Sequence, residues 1–465
     1  MDAQLVLVTV LGIAVLLGLV IKGKLQAFVA LLLTSALVGI AAGLPLVSVL
    51  ESMELGMGDT LGFVAIVVGL GAMFGKMLEL SGGAERLAHT LVERFGEDRA
   101  QMGLAIAGFL VAIPVFFDVG FIILVPLVYS MARRAGKSLL FYGIPLLAGL
   151  AVTHAFVPPT PGPISAAEIL GAELGWVILF GIICGIPCAI IAGPIFGRYI
   201  AKRIMVEEPE YMREELKVGG GGGGGRGPEG SPASEEETPR RDLPGFGLVL
   251  TLTLVPLFLI LLNTVASVTL DEDTASYNFL TFIGHPFIAL LITVLLSFYF
   301  LGKLRGYSRS DVQEVATAAL EPAGLIILIT GAGGVFKQVL IDSGVGESLG
   351  EALADTGLPI FVLAFLIALG VRVAQGSATV SIVTAAGLVA PLLGQFDLSD
   401  PGKGLLVIAV ASGATAVSHV NDSGFWLVNR YFGMSEGDTL RSWTVMETII
   451  GIVGVVMVLI LSLFV

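Results

Sequence analysis

Cysteine is nearly absent: Cys184 and Cys188 are the only two in 465 residues. Four apart inside one apolar run, they can neither staple loops nor complete a four-ligand metal site, and they read as plain buried thiols. Charge is scarce as well. Asp, Glu, Lys and Arg make up 14% of the chain, where a soluble domain carries about 25%. No HExxH and no GxxxxGK[ST] occurs, which removes the zinc-protease helix and the P-loop ATP site. No cofactor is expected, and any pumping would have to draw on an ion gradient. The amino end, MDAQLVL, lacks a basic n-region, so the first apolar segment is expected to stay in the mature chain.

Apolar residues are abundant, at 55% of the chain. Residues 5–21, 27–44, 176–200, 246–265, 286–301 and 445–465 form runs that approach or exceed the ~20 residues needed to cross a bilayer. A water-soluble enzyme, a nucleic-acid binder and a disordered chain are excluded. The expectation is an all-α polytopic membrane protein in contact with lipid. The net charge of −13 is concentrated: residues 204–242 hold ten acids against five bases, with an unbroken glycine run at 219–225. That composition cannot bury enough apolar surface to fold, so residues 204–244 read as a flexible linker between 1–203 and 245–465.

The two flanking segments repeat each other. GAMFGKMLELSGGAERLAHTL (71–91) aligns without gaps on GGVFKQVLIDSGVGESLGEAL (333–353), with identities at Gly71/Gly333, Phe74/Phe336, Leu78/Leu340, Ser81/Ser343, Gly82/Gly344, Glu85/Glu347, Leu87/Leu349 and Leu91/Leu353. Further on, Thr153-His154 meets Ser418-His419, and Trp176 meets Trp443. Positive charge marks the cytoplasmic ends: Lys22/Lys24, Arg94/Arg99, Arg133/Arg134/Lys137, Arg198/Lys202/Arg203, Lys303/Arg305/Arg309 and Arg430/Arg441. Loops at 51–59, 168–173, 271–273 and 342–355 are placed outside. One path satisfies all of these. Two inverted repeats of about five transmembrane helices each, with re-entrant hairpins at 103–130 and 359–393, put both termini outside and the linker in the cytoplasm.

Polar residues at membrane depth fall into pairs related by the repeat, and such residues are tolerated only inside protein or a wet cavity. At the first hairpin tip, IPVFFDVGF carries Asp118 and Gly120; at the second, VRVAQGSATVS carries Arg372, Gln375, Gly376, Ser377 and Thr379. Gly120 and Gly376 let the chain turn. Two helices should break, at THAFVPPTPGP (153–163, with Pro158, Pro159, Thr160 and Gly162) and at SHVNDSGFW (418–426, with Asn421, Asp422, Ser423 and Gly424). His154 and His419 open the two breaks at equivalent positions. His89 and His285, in an amphipathic stretch and beside Pro286, read as ordinary. Asp118 and Arg372 could also pair with each other as a structural lock.

HAFVPPTPGP, RVAQGSATVSIVTAAGL, SHVNDSGFWLVNRYFGM and FFDVGF together resemble the gluconate permease family of the ion transporter superfamily, over nearly the whole chain outside the linker. Thr160 stands where many members carry histidine. The resemblance implies a secondary transporter importing a small hydroxy-carboxylate by proton symport, and a homodimer with scaffold helices at 5–44 and 246–301. Within that reading Arg372 offers a two-pronged match to a carboxylate. Gln375, Gly376, Ser377, Thr379, Asn421 and Ser423 would bind the substrate's hydroxyls. Asp118, His154 and His419 form the proton-coupling set, with Asp422 in reserve. Sodium remains open as the coupling cation, as do D-serine, glycerate or lactate as substrate, and an anion channel or membrane-embedded sensor as function.

Overall fold

Residues 3–96, 99–209, 243–344 and 358–465 are described by the structure, a computed structural model. Most of the linker, including 219–225, and the repeat positions beyond Gly344 (Glu347, Leu349 and Leu353 among them) lie outside the described residues. Every regular element among the described residues is helical. In hydrocarbon a helix is the one open-chain structure that satisfies its own backbone.

The first half runs through α1 (Ala3–Ile21), α2 (Ala27–Ala41), α3 (Leu46–Leu80), α4 (Gly83–Phe95), α5 (Ala100–Val111), α6 (Phe117–Ala135), α7 (Leu139–Phe156), α8 (Pro161–Leu170), α9 (Leu174–Ile190) and α10 (Phe196–Ala201). A π turn at Ile191–Ile195 joins α9 to α10 around Pro194, a residue that cannot donate to the helical ladder. The second half holds α11 (Phe246–Thr269), α12 (Ala275–Gly284), α13 (Pro286–Ser297), α14 (Arg309–Ala318), α15 (Leu320–Asp342), α16 (Ile360–Gln375), α17 (Ala378–Val389), α18 (Asp400–Thr415), α19 (Ser423–Phe432), α20 (Glu436–Thr439) and α21 (Val445–Leu461). Among the described residues, eight helices are long and apolar enough to cross a membrane, while Ala27–Ala41, Ala100–Val111 and Ile360–Gln375 are apolar but shorter. Twelve residues rise roughly 18 Å, well short of a ~30 Å hydrocarbon core, so α5 cannot cross alone.

The chain interrupts itself in the same order in both halves. A helical hairpin (α5–α6, then α16–α17) precedes a helix that stops and restarts (α7–α8, then α18–α19). Each hairpin's first helix packs on the following broken helix, α5 on α7 and α16 on α18. The restarted helices cross over: α8 packs on α17, and α19 reaches α6. There Phe121 lies against Tyr431 and Phe432, and the Tyr129 hydroxyl donates to the Tyr431 carbonyl at 2.6 Å. The α7–α8 segment is the centre of the molecule, with 89% of its apolar window buried, against 39% for α11 and 33% for the segment ending in α21. Phe258, Phe279 and Phe282 point outward, as lipid-facing surface does. His89 sits beside Glu85 at 3.6 Å, and that bond holds the Glu85 carboxyl below its usual range. His285 accepts from the Phe287 amide to start α13. Both are structural.

Small residues set the closest helix crossings, because apolar helices in lipid associate by backbone approach. A Cβ on Gly149 of α7 would lie 2.7 Å from the Phe109 amide nitrogen of α5. Gly149→Val is therefore expected to destabilise the detergent-solubilised protein by about 1–3 kcal/mol, the range for overpacking. Gly62→Ala is the control. Its Cβ meets nothing within 4 Å, so thermal unfolding should be unchanged or slightly later. Equal midpoints for Gly149→Val and wild type would refute the crossing.

Candidate functional site

Both hairpin tips and the second break converge on one cavity of ≈ 360 Å³, within the size range of small-molecule sites. Phe116, Phe117 and Asp118 enter from the start of α6, His154 from the end of α7, and Arg372 from the last turn of α16. Ser377 and Thr379 come from the second tip, Asp422, Ser423 and Gly424 from the break before α19, and Trp443 and Glu447 from the start of the final span. Leu325, Ile326 and Ile329 of α15 supply an apolar wall.

Arg372 is the centre of the polar side. It is 2% exposed, and its Nη2 donates to Asp422 Oδ2 at 2.5 Å. Its Nε and Nη1 are buried with no partner among the described residues. Asp422 is held from two further directions, one of them braced in turn by Trp443. Ser418 Oγ donates to Oδ2 at 2.5 Å, the Gly424 amide donates to Oδ1 at 3.0 Å, and Ser418 itself accepts from Trp443 Nε1 at 2.7 Å. The Thr444 hydroxyl closes the frame on the Ser418 carbonyl. Local sequence builds this. Gly376, at φ +84°, ends α16 and Ser377 Oγ accepts from the Val380 amide to begin α17, so the tip is only two residues long. Asp422 is the N-cap of α19, which anchors its carboxylate by a backbone donor as well as by Arg372.

The lock between Asp118 and Arg372 is replaced by Arg372–Asp422. Asp118, in the first turn of α6, is exposed to the cavity and makes no hydrogen bond with the described residues. His154 Nδ1 is enclosed and unpartnered, with its ring edge-on to Phe116 at 6.4 Å.

Several residues singled out in the sequence stand elsewhere. Gln375, Gly376, Asn421 and His419 do not line the cavity. Asn421 Nδ2 donates to the Val373 carbonyl at 2.9 Å, and His419 Nε2 meets the same oxygen at 3.2 Å, so both turn away to tie the break to the tip. Gly376 packs against Asn421, where a Cβ would lie 2.9 Å from its Cγ. Gln375's amide is enclosed without a partner. At the first break, Thr160 donates to the Val157 carbonyl at 2.7 Å. Pro159 and Thr160 border a separate, very small void beside Gly71, and the Pro158–Pro159 peptide is cis. Gly162 faces Ile382 of α17, Gly120 faces Leu150, and Gly424 faces Trp443.

Glu447, Ser418 and Trp443 were not singled out. Glu447 had a signal, as the sole charged residue in the apolar run 445–465. Ser418 and Trp443 had none beyond their place in the repeat.

The cavity thus offers one guanidinium with two nitrogens unpartnered among the described residues, three carboxyls and one imidazole, walled by aromatic and aliphatic side chains. Among the described residues no group of three His, Cys, Asp or Glu converges as a metal site would. The geometry suits reversible binding of a small anion.

The model of the GntP family permeases matches residues 4–464. The chain is 43% identical to the low-affinity gluconate transporter of Escherichia coli K12 over 452 residues, 97% of each chain. It is 41% identical to the gluconate permease of Pseudomonas aeruginosa, covering 99% of this chain and 98% of that one. It is 38% identical to the Gnt-II system L-idonate transporter of E. coli K12, covering 96% and 97%. In fold it is similar to the YdaH transporter of Alcanivorax borkumensis, with a TM-score of 0.58, 16% identity and 88% and 87% coverage. It is also similar to MtrF of Neisseria gonorrhoeae, with a TM-score of 0.62, 15% identity and 89% and 83% coverage. Those two identities speak to fold alone. With one family matched from end to end and relatives close to its own length, this chain belongs to the GntP family of permeases and is a multi-pass membrane transporter.

Proposed function

We propose that this permease takes up gluconate or a closely related hydroxy-carboxylate across the inner membrane by proton symport. The observation that carries the reading is the buried Arg372 guanidinium, whose Nε and Nη1 have no partner among the described residues, in a cavity with more acids than bases. Either nitrogen can donate a charge-assisted hydrogen bond to a substrate carboxylate, and the second hydrogen of Nη2 lies parallel to one of them to complete a two-pronged fork. Ser377, Thr379 and Ser423 stand around it for the substrate's hydroxyls. The named activities of the relatives, on gluconate and L-idonate, concern polyhydroxy carboxylates of this kind.

An anion joining three carboxyls and one guanidinium needs compensating positive charge, because buried uncompensated charge is costly. Protons fit this site better than sodium does. A sodium ion would use backbone carbonyls freed at the breaks, yet those of Val157, Ser418, His419 and Val420 already accept hydrogen bonds within the protein. Asp118 and His154 are the cavity-facing groups open to proton loading. His419 and Asp422 are each occupied, by the Val373 carbonyl and by Arg372.

The recurring order of hairpin and broken helix supports two inverted repeats, 1–203 and 245–465. The basic residues Arg198, Lys202 and Arg203 support a cytoplasmic linker and external termini. A homodimer built on the peripheral helices belongs to the same reading.

The test is uptake of labelled gluconate into proteoliposomes with pH and sodium gradients imposed separately. Concentrative uptake is expected with an inward proton gradient alone. Asp118→Asn should lose that accumulation while keeping part of the exchange between internal and external substrate. Accumulation driven by sodium alone would replace the proton, and passive equilibration without accumulation would make the protein a channel.

A further inference from the structure

Glu447 is the one cavity carboxyl that neither faces open cavity space nor has its partners built in. It sits in the first turn of α21, is 3% exposed, and its Oε1 is buried without a hydrogen-bond partner among the described residues. Asp118, by contrast, is exposed to the cavity, and Asp422 is held by Arg372, Ser418 and the Gly424 amide. An ionised carboxylate enclosed without a partner is far more costly than the neutral acid. Glu447 therefore needs either a proton or a cation.

The cation within electrostatic reach is Arg372, whose Nε and Nη1 are unused. These are the donors a substrate carboxylate would take. With Glu447 ionised, the guanidinium would be claimed by Glu447 and Asp422 together, and an arriving carboxylate would be repelled by both acids. With Glu447 neutral, the unused donors are free and the Arg372–Asp422 pair is balanced, so the substrate adds a single negative charge to the site.

We propose that Glu447 is the linkage residue of the transporter: its carboxyl must hold a proton for the substrate carboxylate to sit on Arg372. This rests on the reading of the site as a proton-coupled carboxylate transporter. The proton is taken from water on the side where substrate enters and given to water on the side where it leaves. Its loss lets Glu447 displace the substrate from the guanidinium. The titratable groups that face Glu447 are Arg372 on α16, His154 on α7, Asp422 at the start of α19 and Asp118 across the cavity. On the elements packed against α21, the other titratable groups among the described residues are Cys184 and Cys188 on α9, Tyr142 on α7, Asp400 and Lys403 on α18, and Arg441 just before α21. Ion and substrate binding so linked must be reciprocal: the proton strengthens substrate binding by the factor with which substrate strengthens proton binding.

The experiment is equilibrium binding of gluconate to purified protein across mildly acidic to mildly alkaline pH, alongside proton-driven uptake. In wild type the dissociation constant should rise with pH, by up to tenfold per unit if one proton accompanies one substrate. Glu447→Gln, isosteric and permanently neutral, should bind gluconate with a constant close to the wild-type value at acid pH and with its pH dependence reduced to what Asp118 and His154 contribute. It should still exchange substrate and should not accumulate it. Glu447→Asp, which keeps an ionisable group, should keep the pH dependence, and its comparison with Gln separates proton linkage from a packing role. If wild type is proton-driven and Glu447→Gln retains both the pH-dependent constant and accumulation, Glu447 is not the linkage residue and the transport reading survives. If wild type itself shows no pH dependence in either measurement, proton coupling fails and this assignment with it.

Discussion

An Asp422→Ala protein is expected to lose about 3–5 kcal/mol of folding stability, the range for breaking a buried ion pair from one side. Arg372 is 2% exposed and Asp422 is its partner, so the alanine leaves a buried guanidinium without its counter-ion. A second loss adds about 1 kcal/mol, because Asp422 also caps α19 through the Gly424 amide. Unfolding in a denaturing-detergent titration should shift accordingly, and transport should vanish. Removing both charges, in Arg372→Ala with Asp422→Ala, should recover part of the stability, since no orphan charge is left. It should recover none of the uptake. The pair has no net structural weight if Asp422→Ala unfolds at the wild-type midpoint.

Arg372→Lys should fold and reach the membrane, yet raise the half-saturation constant for gluconate at least ~10-fold, equivalent to about 1.4 kcal/mol of binding. The reason is a division of labour within one guanidinium. Nη2 is committed to Asp422 while Nε and Nη1 remain without a partner among the described residues. A lysine ammonium is a compact point charge that lacks the planar array of five donors. It cannot hold Asp422 and a substrate carboxylate with the same geometry. Stability in this variant should therefore sit close to wild type while affinity falls. An unchanged half-saturation constant would remove Arg372 from substrate binding and leave it as Asp422's structural partner.

The apolar runs, the proline-rich break and the polar residues at membrane depth were all legible in the sequence, because a bilayer punishes any departure from an apolar helix. Asp118, Arg372 and Asp422 were each visible for that reason. Their partnership was not. Arg372 and Asp422 are fifty positions apart, and the repeat suggested pairing the two hairpin tips instead. Neighbourhood in the chain also misled. Gln375, Asn421 and His419 sit within a few positions of Arg372 or Asp422, yet the two-residue tip and the short break turn them outward to bind backbone or bury an amide. Glu447 was overlooked for the opposite reason. A single acid in a long apolar run barely changes the average, although its solitude is what makes it informative.

The crossing of α8 onto α17 and of α19 onto α6 has a mechanical consequence. Each half lends its short helix to the other half's hairpin, as two hands clasp, so neither tip can swing without dragging a piece of the opposite half along. Tyr129 on Tyr431 is one pin in that clasp, and Ser165 on Thr330 ties α8 to α15 beside it. Two gates moving separately could both stand open and leak the gradient. Under the proposed symport, gates geared together through a shared grip would open in alternation, and the shape of the chain itself would guard against the short-circuit.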